Sequence, residues 1–231
     1  MTADIRPIAS GRRTLILCGI VLAIAAFGLA TEHQATGPSS PAEHPSWQIS
    51  LYVWLIAFEF LLLRFVSRSL KTSHTKLSAL VSERPVNARS LVVDAGIGLG
   101  LLAAWFIIEF GLDALLGSGD QRSVDRLILR HAVEIPFWAV LSVCAGVIEE
   151  LVFRGFLQRQ FAALCGRRWA GVGLQALFFG IAHLYQGWVL VLHITLFGLL
   201  FGIAAHLRRS LVPCMVAHTL NDLAAGLSLL G

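Results

Sequence analysis

The sequence predicts an all-α, polytopic transmembrane bundle of about seven helices. Of the 231 residues, 56% are hydrophobic and only 14% charged, whereas soluble domains run at roughly 45–50% and about 25%. The mean hydropathy is +0.74. Polar breaks divide the chain into seven apolar runs near the ~20 residues that cross a ~30 Å hydrocarbon core. They are Thr14–Ala30, Ile49–Val66, Leu91–Leu116, Val133–Phe153, Trp169–Tyr185, Trp188–Leu207 and Leu211–Leu230.

The first run follows Arg6, Arg12 and Arg13 as a secretory signal would, but no small-residue cleavage site of the A-x-A kind follows it. It reads as an uncleaved membrane anchor. Residues 31–48 carry three prolines and no Lys or Arg, which suits a non-cytoplasmic loop. After the second run, the basic and polar stretch from Arg64 to Ser90 divides a two-helix leader (1–90) from a core (91–231). Gly96 and Gly100 in the third run, and Gly198 and Gly202 in the sixth, have the small-xxx-small spacing that lets helices approach closely in lipid. The third run also holds Asp94, Glu109 and Asp113, and the sixth His193 and His206, to which the sequence assigns no role.

With the amino terminus cytoplasmic, fifteen of the eighteen Lys and Arg residues fall inside, leaving Arg122, Arg126 and Arg130 outside. The positive-inside rule supports that orientation, and a multi-pass protein of a cytoplasmic (inner) membrane is the expectation. The formal net charge of +4 then reports contact with membrane lipid, not nucleic acid, because no basic block is interleaved with aromatics. Cys18, Cys144, Cys165 and Cys214 are scattered without C-x-x-C spacing and read as small apolar residues.

Ionisable groups inside a bilayer cost at least ~2.5–3.5 kcal/mol each, so they mark candidate sites. The fourth run ends in V-I-E-E-L-V-F-R-G, with Glu149, Glu150 and Arg154. Glu150 and Arg154 share a helical face and can neutralise each other. Glu149 is turned about 100° away and is the acid left for chemistry. The fifth run places Phe179 one turn before His183, with Gly180 and Ala182 leaving room, and the seventh places His218 one turn before Asp222, with Asn221 beside it. At 1.5 Å per residue, counted from Arg159, Trp169 and Arg209, Glu149 and His218 lie roughly 14–15 Å deep and His183 about 21 Å deep. The three segments can therefore meet.

These segments resemble the three motifs of the CAAX-protease and bacteriocin-processing family, which includes the type II CAAX prenyl endopeptidases. E-E-x-x-x-R is matched by Glu149, Glu150 and Arg154, F-x-x-x-H by Phe179 and His183, and H-x-x-x-N/D by His218 and Asp222. The resemblance covers about residues 133–231. It implies an intramembrane endopeptidase acting near the tail of a peptide or membrane-protein substrate. Glu149 would activate water with help from His183, His218 and Asp222 would stabilise the oxyanion, and Glu150 and Arg154 would brace the site. Asp222 must be protonated to donate directly, so it either holds His218 as donor or leaves that part to Asn221. The resemblance leaves the metal question open. If zinc takes part, Glu149, His183 and His218 are its candidate ligands, although the H-E-x-x-H spacing of ordinary zinc peptidases is absent.

Three other readings compete. The G-S-G-D box at Gly117, Ser118, Gly119 and Asp120 has the form of an aspartyl-protease motif but sits in a polar stretch and reads as a turn. A proton-coupled transporter would use the acids of the third run. A catalytically idle adaptor or bacteriocin-immunity protein would keep the fold without turnover. Substrate identity and oligomeric state are not encoded in any motif.

Overall fold

The computed structural model describes residues 6–34, 45–117, 129 and 131–227. Among the described residues each apolar run contains a helix, and no strand occurs. The elements are α1 (Gly11–Gln34), α2 (Pro45–Leu70), a short α3 (Ser78–Val81), α4 (Ala88–Leu116), α5 (Ile135–Glu150), α6 (Gln158–Cys165), α7 (Arg168–Ala182), α8 (Trp188–Arg208) and α9 (Val212–Leu227). A π-helical segment, Leu151–Leu157, joins α5 to α6. Five stretches are long and apolar enough to cross a membrane: Gly11–Ala30, Ser46–Ser73, Ala88–Leu116, Ala132–Cys165 and Trp188–Arg208. The other two, α7 and α9, have 15 and 16 residues, about 22 and 24 Å of helix. Most of the expected 31–48 loop, part of the G-S-G-D box and the three expected outside arginines lie outside the described residues.

Each long helix buries one stripe and leaves the remainder apolar and exposed, as a lipid-facing helix does. In α1 the stripe is Thr14, Leu17, Cys18, Val21 and Ala25, while Leu15 and Phe27 are more than 70% exposed. In α2 it is Gln48, Tyr52, Glu59, Leu62 and Val66, with Trp54 exposed. The spacings of three and four follow the helical period. α4 starts at a reciprocal cap, where Ser90 N–H donates to the Asn87 side chain and Asn87 N–H to Ser90 Oγ, both at 2.9 Å.

Helix α7 packs on α8 and α6, α9 on α4 and α5, α2 on α5, and α1 on α7. The leader and the core share one apolar cluster, in which Leu17, Val21, Leu62 and Val66 join Phe156, Leu157 and Phe201. Gly198 packs against Ala176 of α7, as its spacing suggests. Gly96 and Gly100 meet nothing, and Gly98 instead faces the Pro213 carbonyl and Val216. The small-residue pattern on α4 was therefore off by two positions, because the buried stripe runs through Asp94, Gly98, Leu101 and Trp105.

The basic segments gather at one end of the bundle. Gln160 bonds the backbone of Ile8 and Ala9, Ser73 Oγ donates to the Ile8 carbonyl, Arg159 donates to the Leu80 carbonyl, and Glu83 N–H donates to the Arg209 carbonyl. Buried Asp94 is held there by Arg84 at 3.2 Å, Arg208 at 2.6 Å and Ser210 at 2.7 Å. That assigns Asp94 a structural part, tying α4 to the linker and to the end of α8. His193 approaches Asp113 at 3.9 Å.

Candidate active site

The site draws its side chains from α5, the turn that ends α7, and α9, of which α5 and α9 pack directly on each other. Gly146 makes this approach possible: a Cβ there would stand 2.7 Å from the Thr219 backbone nitrogen. Trp138 Nε1 donates to the Asp222 carbonyl at 3.0 Å and fastens α9 to α5. One residue before Thr219, His218 is thereby set beside the end of α5.

His218 stands among three carboxylates. Its Nδ1 lies 2.9 Å from Glu150 Oε1, and its Nε2 lies 3.8 Å from Glu149 Oε2 and 3.6 Å from Asp222 Oδ2. Glu150 is fully buried, and Arg154 lies 3.0 Å away as its ion-pair partner. Glu150 therefore serves both Arg154 and His218. The sequence showed only the first contact, since the second joins residues 68 apart.

Arg154 is 2% exposed, and its guanidinium carbon stands 4.2 Å from the Phe179 ring centre, with Phe197 and Phe201 within 6 Å. A guanidinium removed from water is stabilised by such ring faces. Phe179 thus has a definite task in the F-x-x-x-H segment: its ring covers Arg154, and its carbonyl fixes His183. A carbonyl can only accept, so the 2.9 Å contact means that His183 Nδ1 carries the hydrogen. Nε2 is then left with a lone pair. His183 is not inside the helix but caps it at φ −103°, after which Leu184–Gln186 form a 3-10 turn. The fifth run ends as helix at Ala182, short of Tyr185, because the chain turns to line a cavity, the setting in which irregular backbone is tolerated at membrane depth.

That cavity, of about 260 Å³, is lined by Glu149, His183, His218 and Asp222 together with Ser142, Tyr185 and Gln186. Glu150, Arg154 and Phe179 lie behind it. Asn221 points its amide at Asp222 Oδ1, 3.4 Å away, and does not line the cavity.

Glu59 of α2 was missed by the sequence reading. It is 7% exposed, lines the same cavity, and its Oε2 has no hydrogen-bond partner. The signal was present as a lone acid in an apolar run of eighteen residues, on the face that carries Tyr52 and Leu62. The leader thus reaches into the site.

Among the described residues, no group of three or more His, Cys, Asp or Glu side chains is arranged to hold a metal ion. His218 has Nδ1 committed to Glu150 and His183 has Nδ1 committed to a carbonyl, which leaves Nε2 of each ring for the cavity, a bonding pattern that metal-ligating histidines share.

Residues 131–224, which hold all three motifs, match a family described as type II CAAX prenyl endopeptidase Rce1-like. No curated protein and no solved structure matches the chain. The match makes residues 131–224 similar to the type II CAAX prenyl endopeptidases, and the apolar helices that contain and surround them indicate a multi-pass membrane protein.

Proposed function

We propose that the protein hydrolyses a peptide bond near the tail of a membrane-associated substrate by a glutamate-activated water. The observation that carries this reading is the meeting of Glu149, His183, His218 and Asp222 around one cavity, backed by a buried Glu150–Arg154 pair.

Glu149 takes the proton of the attacking water. His183 Nε2, a lone pair once Nδ1 is bonded to Phe179, accepts a hydrogen bond from the same water and orients it. As the carbonyl carbon becomes tetrahedral, negative charge grows on its oxygen. His218 is placed to answer it, because Nδ1–H donated to Glu150 leaves Nε2 directed at the cavity. A proton held there between Glu149 and Asp222 forms a donor of the kind worth about 2.7–4 kcal/mol to a developing oxyanion. Asp222 keeps that proton in place, and Asn221 orients Asp222. The proton on Glu149 then passes to the leaving amine. Each step uses protein groups alone.

The core, residues 91–231, carries the motifs, and the leader, residues 1–90, contributes a wall and Glu59. We place the amino terminus in the cytoplasm of a cell with an inner membrane. The cavity is lined from α2, the length of α5, the turn after α7 and α9, and buried Arg154 stands between it and the basic end.

The test is cleavage of a membrane-tethered peptide library by the purified protein in nanodiscs. Glu149→Ala and His183→Ala are expected to lose activity, His218→Gln to lose about 10²–10³-fold in kcat, and a chelator to leave the wild type unchanged. Activity retained in both alanine variants would refute the site, and chelator sensitivity would refute the metal-free route.

A further inference from the structure

A second cavity, also of about 260 Å³, lies at the opposite, basic end of the bundle, and its chemistry is the inverse of the first. Arg6, Arg159, Arg168, Arg209 and His206 line it, and buried Arg154 closes it towards the protein interior. Glu83, half exposed and 3.5 Å from Arg159, is the one carboxylate among the described residues that line it. Five guanidinium groups in one concavity between helix ends form a receptor for an anion, and the planar guanidinium fork suits phosphate oxygens in particular.

The backbone at Arg209 supports a purpose for its side chain. Arg209 ends α8 at φ +55°, in the left-handed region that glycine enters freely and other residues rarely do. The chain uses glycine for this at Gly166, and His74 is the other non-glycine residue in that region among the described residues. At 209 a guanidinium occupies the strained position and lines the cavity.

The surroundings identify the source of the phosphate. Trp169, with its ring edge against His206 at 5.0 Å, is 59% exposed, and Leu164 and Leu207 are 60% and 69% exposed. An exposed tryptophan beside arginines at a helix end marks the headgroup level of a membrane, and the exposed leucines provide a path for acyl chains. We propose that this cavity binds the phosphate of an anionic phospholipid, with Arg168 and Arg209 as its principal donors. The proposal does not depend on the peptidase reading, and either can fail without the other.

The experiment reconstitutes the full chain in nanodiscs of phosphatidylcholine, with or without phosphatidylglycerol, and reads retained lipid by native mass spectrometry and unfolding temperature in parallel. The variants are Arg209→Gly, which removes the cation while relieving the backbone, Arg168→Gln, and Arg12→Gln as an exposed basic control outside the cavity. Wild type and Arg12→Gln are expected to retain phosphatidylglycerol and unfold at higher temperature with it. Arg209→Gly and Arg168→Gln should each bind it about tenfold more weakly, the loss expected for one charge-assisted contact, and Arg209→Gly should remain folded in phosphatidylcholine. Equal retention by wild type and Arg209→Gly would overturn the site. Equal protection by inorganic phosphate in phosphatidylcholine nanodiscs would overturn the assignment to lipid.

Discussion

At the scale of single residues, the adjacent glutamates have different surroundings. Glu150 is enclosed between Arg154 and His218, whereas the nearest charged atom that Glu149 meets is His218 Nε2 at 3.8 Å. Breaking a buried ion pair on one side leaves the other charge stranded, at about 3–5 kcal/mol. Arg154→Met is therefore expected to lower the unfolding free energy by that amount in detergent, while Glu149→Gln leaves it nearly unchanged. Equal destabilisation by the two would contradict the division. Glu59→Gln should keep the fold and reduce kcat, because its carboxyl faces the same cavity as Glu149; an unaltered kcat would remove Glu59 from the site. The motif residues were legible because helical spacing is local: Glu150–Arg154 and His218–Asp222 are each one turn apart. The contact of Glu150 with His218 spans 68 positions and depends on helix packing, which no local pattern records.

At the scale of elements, the site depends on two departures from regular helix. The π segment Leu151–Leu157, with all seven residues buried, directly follows the two glutamates and carries Arg154, consistent with the tendency of π turns to occur at functional sites. The early stop of α7 puts His183 at a helix end. Neither was readable from hydropathy, which sees apolar length and not hydrogen-bond register. Glycines show the same limit in part, since spacing marked Gly198 and Gly202, which are closely packed, but also Gly96 and Gly100, which are not, and the close approach at the site falls at Gly146, in no repeated pattern. Gly146→Val should force α5 and α9 apart, cost about 1–3 kcal/mol, and reduce kcat about 10²-fold, as an ångström of misplacement does. Gly100→Ala, with nothing within 4 Å, should leave activity intact. Activity assays with thermal unfolding separate these outcomes.

At the scale of the whole molecule, charge asymmetry and packing agree on one basic end, where Ile8, Ser73, Leu80, Glu83, Arg159 and Arg209 are linked by hydrogen bonds. Composition and run length made the helical bundle legible. They could not reveal that the two leader helices pack into the core's apolar cluster, because each is lipid-like over most of its surface. Exposed Cys165, just before the basic loop at Gly166–Arg168, reports orientation. A membrane-impermeant thiol reagent should label it in inverted vesicles and not in intact cells; the reverse would invert the proposed topology. The central claim is that Glu149 activates water for peptide hydrolysis in the cavity it shares with His183 and His218. Its most direct test is single-turnover cleavage of a membrane-tethered peptide by wild type and Glu149→Gln, matched for unfolding temperature. The account predicts a loss of about 10²–10⁴-fold in the variant, the range of general-base catalysis, whereas equal rates would contradict it.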